Sequence, residues 1–369
     1  VSIHIMLTTL RVGLYQAYRQ ALYRGTAQRS LLLAPQIWGR QKSTSEVVLD
    51  DNTSAYGSTK PEDFDAAVSI FEVDLSEETR NNLSKAGIKE LFPVQAATFE
   101  LVGRGADLLC RSKTGSGKTL AFALPIAEAL RRPDAQRAWT GAPQACVLAP
   151  TRELARQVQG EFARLAPGLR TVCLYGGAPA GPQIADLRRG VHVAVGTPGR
   201  VRDHLESGAL DLGHVRAAVL DEADRMLQVG FQEEVEHLLA HMPAPGRRQT
   251  LLWSATVPPW VTRLAQRYMN DPEYIDMVGE EDGRIPDTIK HTAILAAEGN
   301  RQSILASVLS VYAQGGRAIV FTQTKREADA LAHSAALQAA GVRPLHGDLP
   351  QELREATLRA LRAGHLRVL

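Results

Sequence analysis

Two short stretches of this chain have the residue types and spacing to handle a polyphosphate. Ser112-Lys113-Thr114-Gly115-Ser116-Gly117-Lys118-Thr119 follows an apolar run and precedes an amphipathic helical pattern over Leu120–Arg131. Its glycines let the backbone curl so that N–H groups point at phosphate oxygens, and the following helix N-terminus adds a favourable field. Lys118 is placed to neutralise the outer phosphates, and the Thr119 hydroxyl to ligate Mg²⁺. The general phosphate-loop pattern has glycine where Ser112 stands, so an ordinary glycine-rich turn remains an alternative for this stretch alone. Further along, Asp221-Glu222-Ala223-Asp224 follows the apolar run Ala217–Leu220. An aspartate at a strand end can hold Mg²⁺, and the adjacent Glu222 can orient an attacking water. The alternative is a solvated acidic helix start.

These residues need a scaffold that brings them together. From residue 106 onward, short apolar runs alternate with helical patterns of ten to fifteen residues. The runs are Asp107–Cys110, Ala145–Leu148, Thr171–Leu174, Val191–Val195, Ala217–Leu220 and Thr250–Trp253. Such alternation predicts an α/β fold with a parallel sheet covered on both faces. Ligands then sit at the carboxyl ends of the strands. That is where Ser112–Thr119, Pro150–Ala155, Thr197–Arg200, Asp221–Asp224 and Ser254–Thr256 fall.

In this order, the phosphate loop, Pro150-Thr151-Arg152-Glu153-Leu154-Ala155, Thr197-Pro198-Gly199-Arg200, Asp221-Glu222-Ala223-Asp224 and Ser254-Ala255-Thr256 resemble the DEAD-box RNA helicase family. The likeness runs from Phe71 to Leu369, about four-fifths of the chain. Finer segments resemble its nucleolar RNA helicase II (Gu) subgroup and plant organelle relatives. The resemblance implies two RecA-like parallel-sheet domains in tandem, the second incomplete, with ATP and Mg²⁺ as cofactors and RNA as partner. It implies that Phe71 stacks on adenine and that Gln95, in Gly87–Gln95, bonds the adenine edge. It gives catalytic roles to Lys118, Asp221, Glu222, Asp224, Ser254 and Thr256. It assigns RNA backbone contacts to Pro150, Thr151, Arg152, Gly176, Gly177, Thr197, Pro198, Gly199 and Arg200, and in the second domain to Thr322 and Gln323. Backbone contacts of this kind are independent of base sequence. By the same resemblance Ser254 and Thr256 bond to the acidic loop and couple the two sites.

The resemblance also sets the domain plan. Residues 66–278 form the first domain, 279–287 a polar linker, and 288–369 a partial second domain carrying Ile319–Lys325 and Leu345–Arg354. The family's arginine-finger motif has no counterpart, which implies weak ATP binding and slow hydrolysis by these residues. A non-hydrolysing RNA clamp and a DNA-directed phosphate-loop ATPase stay open as alternatives.

Bulk composition adds limits. The net charge of +2 hides an asymmetry: residues 1–45 hold six basic side chains and no acidic one, and the remainder holds 36 basic against 40 acidic. The body is therefore not generally basic, and RNA binding has to come from local geometry. The arginine-rich, acid-free start, with apolar residues near helical spacing over Met6–Arg29, reads as an organelle transit peptide, mitochondrial before plastid or nucleolar; a basic RNA-binding tail is the alternative. Residues 46–65 read as a flexible lead-in. Apolar runs fall short of the roughly 20 residues a membrane helix needs. Cys110, Cys146 and Cys173 lie far apart in apolar stretches and read as buried hydrophobes.

Overall fold

Six apolar runs were expected as strands, and all six are strands in the computed structural model, which describes residues 4–8, 67–278, 292, 294, 300–313, 316–338 and 341–369. In chain order the strands are β1 (His4–Thr8), β2 (Val68–Ser69), β3 (Glu90–Leu91), β4 (Leu108–Arg111), β5 (Ala145–Leu148) and β6 (Thr171–Leu174). They continue as β7 (Val193–Gly196), β8 (Ala217–Asp221), β9 (Gln249–Ser254), β10 (Glu273–Asp276) and β11 (Arg317–Phe321). The chain divides into two compact units, residues 47–285 and residues 1–46 with 286–369.

In the larger unit seven strands form one parallel sheet in the order β10-β4-β9-β8-β5-β7-β6. Alternate residues along each strand feed two apolar cores, one per face. Leu108, Cys110, Val147, Val219 and Leu251 meet the helices Pro93–Gly103, Lys118–Arg131 and Arg152–Leu165. Leu109, Cys146, Leu148, Leu220 and Leu252 meet the helices Pro198–Glu206, Ala223–Val229, Gln232–Ala240 and Pro259–Tyr268. Because side chains alternate across a strand, a run apolar at every position requires cover on both sides. Cys110 and Cys146 are buried, as expected of small hydrophobes, and Cys173 is half-buried.

Three differences from the sequence expectations have local causes. The helix expected from Leu120 begins at Lys118, so the phosphate-loop lysine belongs to its first turn. β10, on the sheet edge beside β4, was not foreseen: only Tyr274 and Ile275 are apolar, between acidic neighbours. Of the stretch expected as an amphipathic address helix, Met6–Thr8 instead lies in β1, paired antiparallel with β11 from His4↔Phe321 to Thr8↔Arg317. An open strand edge offers backbone partners that a weak helical pattern cannot match. The rest of that segment, the lead-in 46–65 and the linker 279–287 lie outside the described residues. In the smaller unit, Leu305, Leu309, Ala318, Leu331 and Val368 pack together.

The sheet's amino end is tied by buried polar groups. Asp107 accepts hydrogen bonds from the N–H groups of Thr250 and Asn270, each at 2.7 Å. Arg248 donates to the carbonyls of Leu239 (3.1 Å) and Tyr268 (3.3 Å) and to the Thr250 hydroxyl (3.1 Å). Burial pushes the Asp107 carboxyl up to about 6, against the pull of these N–H groups and of Arg248. A carboxyl raised in the folded state stabilises below its unfolded value, and that contribution is lost as pH rises through the folded one. Unfolding free energy should therefore fall between about pH 4 and about pH 6, by at most about 3 kcal/mol. Asp107→Asn should remove that contribution and leave the one from Asp221, whose carboxyl burial also raises. It should also lower stability by about 1–3 kcal/mol, since one amide oxygen cannot accept at both positions. Urea unfolding at several pH values checks this; an unchanged fall in the variant would assign it elsewhere.

Candidate nucleotide and RNA sites

The carboxyl ends of β4, β9 and β8 bring the phosphate loop, Ser254–Thr256 and the acidic loop together, as the order of these strands requires. Ser112 N–H donates to the Ser254 carbonyl at 2.9 Å, which pins the loop's start to β9. The Ser112 and Ser116 hydroxyls are 2.5 Å apart, and buried Lys118 donates from Nζ to the Ser112 carbonyl at 2.9 Å. Gly117 holds φ +93°, a left-handed value that glycine adopts without strain. A cavity of about 390 Å³ opens here. Thr114, Gly115, Gly117, Lys118 and Thr119 line it on one side and Asp221 and Glu222 on another. Leu154, Gln157, Glu161 and Arg164 also line it, from the helix Arg152–Leu165. Sequence reasoning did not single out the last three. A smaller cavity of about 240 Å³, between Gly141, Arg188, Gly190 and Asp211, carries none of the motif residues.

Asp221 is buried, and its Oδ1 has no hydrogen-bond partner among the described residues. Burial pushes its carboxyl up to about 7, and the Lys118 ammonium pulls it down. A buried, unpartnered carboxylate oxygen beside a cavity that a threonine hydroxyl also lines suits a hard divalent cation, which takes oxygen ligands. Glu222 holds φ 54°, ψ 52°, a left-handed conformation uncommon for a residue with a side chain. Strain of this kind gathers at functional turns.

Asp224 faces the other way. Its carboxylate accepts from the Thr256 N–H at 3.0 Å, the Thr256 hydroxyl at 2.8 Å and the Arg225 N–H at 3.0 Å. Its own N–H donates to Ser254 Oγ at 3.1 Å. Both hydroxyls of Ser254–Thr256 thus touch the acidic loop.

Gln95 is buried above the phosphate loop. Its Oε1 accepts from the Phe92 N–H at 2.8 Å and its Nε2 donates to the Gly117 carbonyl at 3.0 Å. Phe71 is 70 % exposed, with the Arg80 guanidinium 5.8 Å from its ring centre. Glu128, which sequence reasoning missed, joins this segment to the phosphate-loop helix by accepting from the Ser76 N–H and hydroxyl, each at 2.8 Å. An acidic residue inside a helical pattern carries no signal of such a partner 52 residues away.

The remaining motif residues collect at the ends of β5, β6 and β7, on the other half of the sheet. Thr151 caps the helix Arg152–Leu165 by accepting from the Leu154 N–H at 3.2 Å. The Arg152 guanidinium lies against Gly177 so closely that a Cβ there would fall 2.8 Å from its Cζ. Gly177 has φ +76°. Pro198, Gly199 and Arg200 form the first turn of Pro198–Glu206, with Thr197 buried before them. Arg200 donates to the Ala178 carbonyl at 3.1 Å. The Pro150, Gly176–Gly177 and Thr197–Arg200 segments therefore adjoin one another. In the smaller unit, Thr322 donates to the Thr324 carbonyl at 3.0 Å, and Gln323 N–H donates to Glu327 at 3.0 Å, just past β11.

Comparisons with known proteins find relatives over most of the chain. Residues 92–264 match the family described as DEAD/DEAH box helicase, and residues 300–369 match the helicase conserved C-terminal domain. The chain is 46 % identical over 302 residues to DEAD-box ATP-dependent RNA helicase 9, mitochondrial, of Arabidopsis thaliana, covering 82 % of this chain and 49 % of that protein. It is 45 % identical over 332 residues to DEAD-box ATP-dependent RNA helicase 3B, chloroplastic, of Zea mays, covering 87 % and 44 %. It is 42 % identical over 300 residues to nucleolar RNA helicase 2 of Rattus norvegicus, covering 80 % and 38 %. The chain thus spans half or less of the length of these relatives. The crystal structure of a DEAD box protein from the hyperthermophile Methanococcus jannaschii aligns with a TM-score of 0.52 at 31 % identity, covering 82 % of this chain and 80 % of that one. With a parallel sheet that carries the five motifs at its strand ends, the chain belongs to the DEAD-box RNA helicase family.

Proposed function

We propose that the protein to which these residues belong is an RNA-dependent ATPase that grips single-stranded RNA by its backbone and separates short duplexes or remodels RNA–protein complexes. The observation that carries this reading is the bonding of Asp224 to Thr256 and Ser254. It joins the acidic loop of the nucleotide cavity to a strand end of the same sheet whose other half bears the RNA-motif loops. Lys118 would neutralise the outer phosphates, Asp221 and Thr119 would hold Mg²⁺, and Glu222 would orient water. The bound ion would supply charge neutralisation at the transferred phosphoryl group. Phe71 and Gln95 would take the adenine, with Ser112, Thr114, Gly115, Ser116 and Gly117 shaping the loop beneath the phosphates.

The test is phosphate release from ATP with and without single-stranded RNA. Stimulation by RNA and not by the matching deoxy-oligomer is expected, because contacts to the 2′-hydroxyl distinguish the two. Equal stimulation by DNA would favour a DNA-directed ATPase, and no stimulation by either would refute the RNA-dependent reading. The acid-free first 45 residues, together with relatives named mitochondrial and chloroplastic, support an organelle destination, mitochondrion first. A fluorescent reporter carrying those residues that stays out of organelles would refute it.

A further inference from the structure

Gln183 and His204 are both buried polar residues outside the motifs. They lie on different helices, Ala180–Arg188 and Pro198–Glu206, yet their side chains meet: His204 Nε2 is 2.9 Å from Gln183 Oε1. The other end of the Gln183 amide reaches the chain just before the paired glycines, where Nε2 donates to the Tyr175 carbonyl at 3.1 Å. That carbonyl can only accept, so it sets which way the amide points. The amide oxygen must then face His204, which fixes the histidine as an Nε2–H donor. Burial and the neighbouring Arg200 hold the imidazole below its ordinary pKa, in keeping with a neutral ring.

We propose that Gln183 and His204 are positioning residues that set the Tyr175–Ala178 turn against the Thr197–Arg200 segment, so that the two RNA-gripping loops form one surface. The proposal rests on the RNA-binding reading given above. The turn is held at three points. Gln183 holds the Tyr175 carbonyl, Arg200 holds the Ala178 carbonyl at 3.1 Å, and the Arg152 guanidinium lies against Gly177 between them. Two of these holders are arginines that RNA phosphates would compete for. When they turn toward RNA, the Gln183–His204 relay keeps its grip, because neither member is exposed to solvent or ligand. A backbone surface that reads phosphate and ribose needs this: loop displacements of about an ångström can remove tenfold or more of the benefit of a positioned contact.

The experiment uses the full chain with Gln183→Leu, His204→Leu and His204→Gln. Affinity for a labelled single-stranded RNA, affinity for a fluorescent ADP analogue, and amide exchange at Gly176 and Gly177 are measured on each. Both leucine variants should bind RNA roughly tenfold more weakly, exchange faster at the two glycines, and hold ADP as the unaltered chain does. His204→Gln should recover most of the RNA affinity, because its amide can still donate to Gln183. Leucine variants that bind RNA within twofold of the unaltered chain would overturn the relay. If Gln183→Leu does not fold, the His204 pair decides: a tenfold gap between His204→Leu and His204→Gln supports it, and equal affinities refute it. An unaltered chain that binds no RNA sinks the functional reading instead, and glycine exchange then still reports whether the relay holds the turn.

Discussion

Lys118→Ala should abolish RNA-stimulated phosphate release, lowering turnover by at least about 10²-fold, the scale on which loss of one preorganised charge at a reacting group is felt. The side chain is buried, its ammonium donates to the Ser112 carbonyl, and Lys118 lines the larger cavity. It is therefore held beside the place a phosphate would occupy. Arginine should not substitute, because its planar fork cannot fit where a compact ammonium sits. A second effect follows from Asp221. Lys118 is the charge that pulls the Asp221 carboxyl down against burial. Without it, Asp221 stays protonated to higher pH and its claim on a cation weakens. Lys118→Ala and Asp221→Asn should thus be strongly non-additive, the double variant barely worse than either single one. Phosphate release and titration with a fluorescent nucleotide separate the two contributions. A Lys118→Ala chain that keeps half its turnover would show that the phosphates lie elsewhere.

Much of this site could be read in the sequence because a parallel sheet leaves little freedom in where its loops go. Once Ala145–Leu148 and Ala217–Leu220 are strands, Pro150–Arg152 and Asp221–Asp224 must emerge at the same end. What could not be read are contacts between side chains distant in sequence and lacking any periodic signal. Gln95 meets Gly117 across 22 residues, and Glu128 meets Ser76 across 52. Gln183 and His204 are ordinary polar residues on two helices until packing removes the solvent between them. The edge strands failed for another reason. β10 has a short apolar signal, and β1 takes its conformation from the partner edge of β11 rather than from its own pattern.

The two halves of the sheet also differ physically. Strands β4, β9 and β8 end in groups that need exclusion from water, namely Lys118, Asp221 and Ser254, all buried. Strands β5 and β7 lead into arginines that remain at least partly accessible, Arg152 and Arg200, and β6 leads into the paired glycines Gly176 and Gly177. Asp221 carries β8 into the first half, while β5, its neighbour, opens the second. At their nearest strands the two candidate sites are therefore one strand spacing apart, about 5 Å.

Gly117→Ala should weaken nucleotide binding at least tenfold while leaving the sheet intact. The backbone there has φ +93°, which alone costs a residue with a Cβ about 1–2 kcal/mol. The methyl group would also fall 3.0 Å from Phe92 Cδ2 and overlap the Gln95 amide. Relief requires Gln95 to swing away, which breaks its bonds to the Gly117 carbonyl and the Phe92 N–H together. The adenine-side residues and the phosphate loop would then move independently, and the loop would lose the contact that holds it from above. Gln95→Ala removes the same bonds without straining Gly117, so comparing the two separates lost contact from backbone strain. If strain dominates, Gly117→Ala lowers affinity for ATP and for inorganic triphosphate alike. If the Gln95 link dominates, both variants lose ATP affinity equally, and triphosphate binding changes little. Unchanged ATP affinity in Gly117→Ala would mean that the loop opens away from Gln95 when nucleotide enters.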